Sequence, residues 1–208
     1  MKDYRTEFPL EYCASRFLTQ WMRHEETLYK CFSSDPTIED IREALSYFKV
    51  SRNFKGLNNE VGKIEIIRNE LKIVKSDVTL TSELKVTNLA RAFEEHFDQF
   101  NLSAATKLLW LSYREPFVIY DIRAVNALSQ KFKHSFAKRR YDEYSNAWRL
   151  QYAKYKLDIE QAIQTLPEGR IFMPRCSLND NEIVALAKEE WFKERVFDIF
   201  LWEIGGNN

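Results

Sequence analysis

The sequence predicts an all-α fold, a helical bundle of two lobes with room for one short extended element. Three observations predict it. Glycine and proline number only 5 each in 208 residues, so long regular elements joined by short loops are expected. Apolar residues recur at helical spacing along most of the chain. No strand-rich stretch is large enough for a doubly wound sheet, and no repeat at roughly 20–50 residues marks a solenoid. At 208 residues one hydrophobic core can still organise the whole chain, so residues 1–208 read as a single domain whose lobes the sequence does not separate.

The elements follow in order. From Phe8 to about Phe32 the residues Phe17, Leu18, Trp21, Leu28 and Phe32 recur near a helical period, which predicts one or two helices. Next comes a helix start, with Asp35 as the expected cap, Pro36 at the first helical position, and Glu39 and Asp40 at the positive end. This helix is expected to turn Ile38, Ile41, Leu45 and Phe48 inward and to stop before the polar stretch 51–60. Residues 61–75 predict a helix with Ile64, Ile67, Leu71 and Val74 on one side. A loop or short extended piece covers Ser76 to Ser82, and a helix from about Glu83 presents Val86, Leu89, Ala90, Phe93 and Phe97. Residues 102–113 form the most apolar helix, and after Glu115-Pro116 a brief extended run, Phe117 to Tyr120, ends in Asp121. Residues 122–132 and 141–165 read as helices. A tail then runs from Pro167 through Cys176 into a final helix, capped near Leu178–Glu182, that buries Trp191, Val196, Phe197, Leu201 and Trp202.

Composition excludes several classes of function. No run approaches the roughly 18 apolar residues that span a bilayer. The charged start, with Lys2, Asp3 and Arg5, lacks the apolar core of a signal peptide, so a cytoplasmic or nucleoid-associated monomer with no membrane partner is expected. Cys13, Cys31 and Cys176 are an odd number with no CxxC pair, and His24, His96 and His134 are far apart, so neither a disulfide framework nor a bound metal is expected. No Walker loop, GxGxxG or HExxH occurs.

The net charge of zero hides an uneven layout. Residues 122–156 hold 9 Lys/Arg against 2 Asp/Glu, whereas residues 1–121 hold 17 against 19 and residues 157–208 hold 5 against 10. Such an island is either a polyanion-binding surface or a solvated helix face with scattered lysines.

One constellation carries chemistry. Lys107 stands in the first two turns of the apolar helix, and Asp121 follows 14 residues later, where the next helix starts. A helix N-terminus disfavours a nearby ammonium, and burial against Leu108, Trp110 and Leu111 would add desolvation, both favouring the neutral, nucleophilic amine. An aspartate brought opposite could take protons or stabilise a developing cation. The bland readings stand beside this one: Asp121 is a good N-cap whatever the protein does, and Lys107 could snorkel to solvent.

The segment from Asn101 to Ser112, followed by Phe117-Val-Ile-Tyr-Asp-Ile-Arg-Ala-Val, resembles the core of the helix–hairpin–helix DNA glycosylases, in their 8-oxoguanine-glycosylase-like and endonuclease-III-like branches. The likeness is sharp over about 25 residues and places a hairpin and catalytic core at about 98–135. The resemblance implies a two-lobed fold of that type, Lys107 as nucleophile and Asp121 as the assisting carboxylate. It also implies a double-stranded DNA partner with a flipped damaged or modified base, abasic-site lyase chemistry and no cofactor. Ser103, Thr106, Arg123, Lys131, Lys133, Lys138, Arg139 and Arg140 would then meet the DNA backbone. The chain departs from the family pattern in three ways. Asn101 to Ala105 hold no hairpin glycine, the lysine–aspartate spacing is shorter than usual, and three cysteines cannot form the iron–sulfur loop of some members. Oxidised guanine is the family-based substrate, and a hypermodified phage base, with a role in antiviral defence, is the alternative. The competing class is a catalytically inert helical adaptor for nucleic acid or protein. Its signature would be a Lys107 fully exposed and far from Asp121.

Overall fold

The computed structural model describes residues 3–57, 62–173 and 176–206, and among these there is helix but no strand. Asn58 to Val61, expected to end a polar stretch and open a helix, and Pro174 and Arg175 of the expected tail lie outside the described residues. The chain divides into two compact units. One comprises Met1–Glu26, Asp121–Ala137 and Glu143–Asn208, and the other Thr27–Tyr120 and Lys138–Asp142. No helix among the described residues is long and apolar enough to cross a membrane.

The second unit begins within α2 (Glu26–Phe32) and continues through α3 (Ile38–Tyr47), α4 (Lys63–Ser76), α5 (Ser82–Phe97) and α6 (Leu102–Tyr113). Successive helices pack on one another, α3 on α4, α4 on α5 and α5 on α6. The apolar stripes read from the sequence on α4 and α5 are the buried ones: Ile64, Ile67, Leu71 and Val74, then Val86, Leu89, Ala90, Phe93 and Phe97. Phe54 meets Phe93 and Phe97 edge-on at 5.1 and 5.0 Å between ring centroids.

The start of α3 differs from expectation. Thr37, not Asp35, is the N-cap, in a reciprocal capping box with Asp40. The box displaces Asp35 because Thr37 satisfies the third amide while Asp40 returns a bond to the cap's own amide. Asp35 instead pairs with Arg68 at 2.8 Å. Starting the helix at Ile38 turns that residue outward, 42% exposed, while Ile41 and Leu45 are buried. Phe117 to Tyr120 is irregular rather than a strand, since its polar groups are met by side chains: Tyr141 Oη donates to the Val118 carbonyl and accepts from its amide.

The first unit holds α1 (Leu10–Gln20), α7 (Ile122–Asn126), most of α8 (Tyr141–Ala162), α9 (Leu166–Gly169), α10 (Asp180–Lys188) and α11 (Glu190–Ile204). α11 is its axis, packing against α1, α7 and α10. Its core is aromatic, with Phe17 against Trp191 and Phe192, and Trp148 against Phe197. Two π-helical turns, Trp21–Glu25 after α1 and Ala127–Lys131 after α7, extend their helices. The expected tail from Pro167 is helical instead, as α9 and a 3₁₀ turn over Arg170–Phe172. The expected single final helix is two, because Glu189 is extended (ψ 136°) between α10 and α11. The cap was legible: Asn179 and Glu182 form a capping box.

α7 and α11 approach so closely that residue 205 must be glycine. A Cβ there would lie 1.9 Å from the carbonyl oxygen of Arg123. Gly205→Ala should therefore force the two helices apart and lower stability by about 2 kcal/mol or more. An unchanged urea midpoint in that variant would show that the helices have slack there.

Candidate functional site

Helix α6 is entered through a four-residue connection. Asp98 ends α5 in the left-handed conformation (φ 58°) with its amide on the Glu94 carbonyl, and Asn101 caps α6 by accepting from the Ala104 amide at 3.0 Å. The left-handed turn that leaves α5 is thus made by an aspartate, a residue that tolerates it. Along α6 every residue from Ala104 to Ser112 is buried, Lys107 among them at 5% exposure. The fully exposed Lys107 that marks the adaptor reading is not what the fold provides.

The Lys107 ammonium donates to Ser103 Oγ, one turn earlier, at 2.8 Å and lies 5.9 Å from the centre of the Phe48 ring. Ser103, expected at a DNA phosphate, is therefore also the lysine's partner. Thr106, a second backbone-contact candidate, is fully buried. Its hydroxyl donates to the Leu102 carbonyl and accepts from the Tyr120 amide at 3.0 Å. That bond anchors the last residue before Asp121 onto α6 within the second unit.

Asp121 belongs to the first unit and is the N-cap of α7, its Oδ1 accepting from the Arg123 amide at 3.1 Å. Its neighbourhood contains a buried ionic group that sequence reasoning missed. On α11, Arg195 and Asp198 stand three residues apart in a largely apolar buried surface that also takes in Glu194. Arg195 bonds Glu25 at 2.9 Å and Asp198 at 3.4 Å, and Trp148 Nε1 donates to Asp198 at 2.8 Å. Burial pushes the Asp198 carboxyl up to about 6, against the pull of Arg195 and the Trp148 bond, and the Asp121 charge adds to the rise. The signal was present in the sequence: an Arg and an Asp at i, i+3 between Trp191 and Leu201, where a buried stripe admits charge only in pairs.

The remaining backbone-contact candidates divide between the units. In the first, the Arg123 guanidinium lies 3.8 Å from the centre of the Trp202 ring, and Trp202, expected in the core, is half-buried. Lys131 sits 6.0 Å from the Tyr4 ring, and Lys133 is exposed. In the second, Lys138 is exposed, Arg139 pairs with Glu94 at 2.7 Å over the Phe100 ring, and Arg140 pairs with Asp142 at 2.6 Å. The positive island is thus divided between the two units and partly compensated by acidic partners. Among the described residues no group of three or more His, Cys, Asp or Glu side chains could hold a metal ion. Comparison with protein-family models, with curated proteins and with solved structures returned no match to this chain.

The Asp198 shift has a signed consequence. A carboxyl whose folded pKa is raised from 3.8 to about 6 holds its proton in the native state at pH values where the unfolded chain has released it. Its contribution therefore falls as pH rises through that window, full below the lower value and gone above the upper. Asp198→Asn should flatten the pH dependence of the melting temperature between about pH 4 and pH 6 relative to the parent. Parallel curves for the two proteins would rule the shift out.

Proposed function

We propose that the chain is a DNA base-excision enzyme of the helix–hairpin–helix glycosylase type, acting on a damaged or modified base flipped from a duplex. The observation that carries the reading is the burial of Lys107 in the second turn of α6, directly after the tight α5–α6 connection. A lysine withdrawn from water and held by a neutral serine hydroxyl suits a nucleophile. The Thr106–Tyr120 bond adds support, because it fixes the chain immediately before Asp121.

In this mechanism the neutral amine of Lys107 attacks the anomeric carbon of the flipped nucleotide. The glycosidic bond breaks, and its electron pair leaves with the base, which takes up a proton. The secondary ammonium loses a proton, the sugar ring opens, and an imine joins Lys107 to the sugar. The Asp121 carboxylate stabilises the positive charge that builds on the sugar as the base departs. The Asp121 charge also adds to the raised pKa of the buried Asp198 carboxyl. A second reading, an inert helical module that binds nucleic acid or protein, draws on the bond from Asp121 to the Arg123 amide, a capping role that needs no chemistry.

Borohydride added to the protein on abasic duplex DNA should trap a covalent adduct that peptide mapping places on Lys107. Lys107→Gln, which keeps a polar group near Ser103, should fold and trap nothing. Asp121→Asn, which still caps α7, should slow base release by about a hundredfold or more. Trapping on another lysine, or an asparagine variant as fast as the parent, would favour the binding module.

Engagement of the DNA backbone is testable separately. Charge reversal at the exposed Lys133 and Lys138 should weaken duplex binding at every sequence. It should also make the slope of log affinity against log salt shallower by about one for each phosphate no longer neutralised. An unchanged slope in a folded double variant would assign both lysines to solvated surface.

A further inference from the structure

Helix α4 carries a row of cations alongside its apolar stripe: Arg68, Lys72 and Lys75, at i, i+4 and i+7. Positions so spaced share one side of a helix. All three line a cavity of ≈ 420 Å³ that lies wholly within the second unit. That volume falls in the range of small-ligand pockets, about 300–1,000 Å³.

The charges in this cavity do not balance. Three cations face one carboxylate, Asp35, which bonds Arg68 at 2.8 Å and stands 3.5 Å from Lys72. Arg68 Nε donates to the Pro36 carbonyl and Nη2 to Asp35, and Nη1 has no hydrogen-bond partner among the described residues. Lys75 donates to the carbonyls of Phe32 and Ser34, where α2 ends, and keeps one N–H in hand. Burial holds the Lys75 ammonium below its ordinary pKa, so an approaching anion relieves a desolvation cost already incurred. Beside the cations the wall holds Ser33, Ser34 and Ser76, whose hydroxyls are bonded to backbone carbonyls. It also holds a carbon surface from Leu71, Pro36 and the half-exposed Tyr113 ring, whose hydroxyl is fixed on the Lys75 carbonyl.

A cluster of donors in excess of its carboxylate, next to an apolar and aromatic wall, suits a ligand with a phosphate at one end and a flat carbon body at the other. We infer that this cavity binds a nucleoside monophosphate, either free or as the phosphorylated 5′ end of a strand, with the phosphate at Arg68, Lys72 and Lys75 and the body along Leu71 and Tyr113. The site uses neither Lys107 nor Asp121, so it stands or falls independently of the glycosylase reading.

Calorimetric titration of the whole chain tests it, with AMP, adenosine, inorganic phosphate, and a trinucleotide with or without a 5′ phosphate as probes. AMP should bind about tenfold more tightly than inorganic phosphate, and adenosine should not bind measurably. Lys72→Glu, at a side chain 65% exposed, should weaken AMP binding about tenfold in a protein that still folds. Asp35→Asn should strengthen it, a change of sign that damage to the fold cannot produce. Lys55→Glu, outside the cavity, should leave it alone. Tighter binding of the 5′-phosphorylated trinucleotide than of AMP identifies a strand end, and the reverse order a free nucleotide. No AMP binding, AMP no tighter than inorganic phosphate, or an affinity indifferent to both Lys72→Glu and Asp35→Asn would overturn the inference.

Discussion

Helix α6 is buried around nearly its whole circumference, so the polar groups it carries find their partners inside the protein. The buried Nδ2 of its cap, Asn101, is an exception among the described residues. Much of the second unit can be read from how those partners are supplied. Asn101 caps the helix, Ser112 returns its hydroxyl to the Leu108 carbonyl, and Lys107 reaches back to Ser103. Thr106 does two things at once, donating to its own helix and receiving the Tyr120 amide. That last bond gives the irregular segment 117–120 a fixed end without a partner strand, and the Tyr141 hydroxyl gives it a fixed middle at Val118.

The first unit meets the same constraint with charge. α11 places Arg195 and Asp198 in an aromatic core, where an unpaired ion would cost several kcal/mol, on the order of a whole domain's margin of stability. Glu25 answers from the π-helical turn after α1, and Trp148 answers from α8. Three segments far apart in sequence are thereby tied through one ionic group, and a buried group of this kind selects one arrangement of helices over others. The Asp121 charge reaches this group as well, adding to the rise of the Asp198 carboxyl.

Charge read along the chain and charge in the folded protein are different quantities. Residues 122–156 carry nine basic side chains against two acidic, yet Arg139, Arg149 and Lys156 are answered by Glu94, Glu194 and Glu190 from elsewhere in the sequence. Conversely, the second unit gathers Arg68, Lys72 and Lys75 at one cavity from within residues 1–121, which hold 17 Lys/Arg against 19 Asp/Glu. A linear count registers neighbours in the chain, whereas a field depends on neighbours in space.

The sequence by itself determined the helical class, the bounds of α6, the apolar stripes of α4 and α5, the cap of α10 and the position of Asp121 at the head of α7. Each of these is a local matter, settled by periodicity or by a side chain bonding an amide two or three residues away. Local rules also went astray where two local candidates competed, as when Thr37 with Asp40 displaced Asp35 as the cap and so turned Ile38 outward. Only the tertiary structure decided that Lys107 is buried rather than snorkelling, that Arg123 lies over Trp202, that Asp198 sits beside Trp148 and Arg195, and that three cations of α4 share a cavity. Those outcomes depend on which surfaces exclude water from one another, a property of packing between distant segments that no spacing along a single segment encodes.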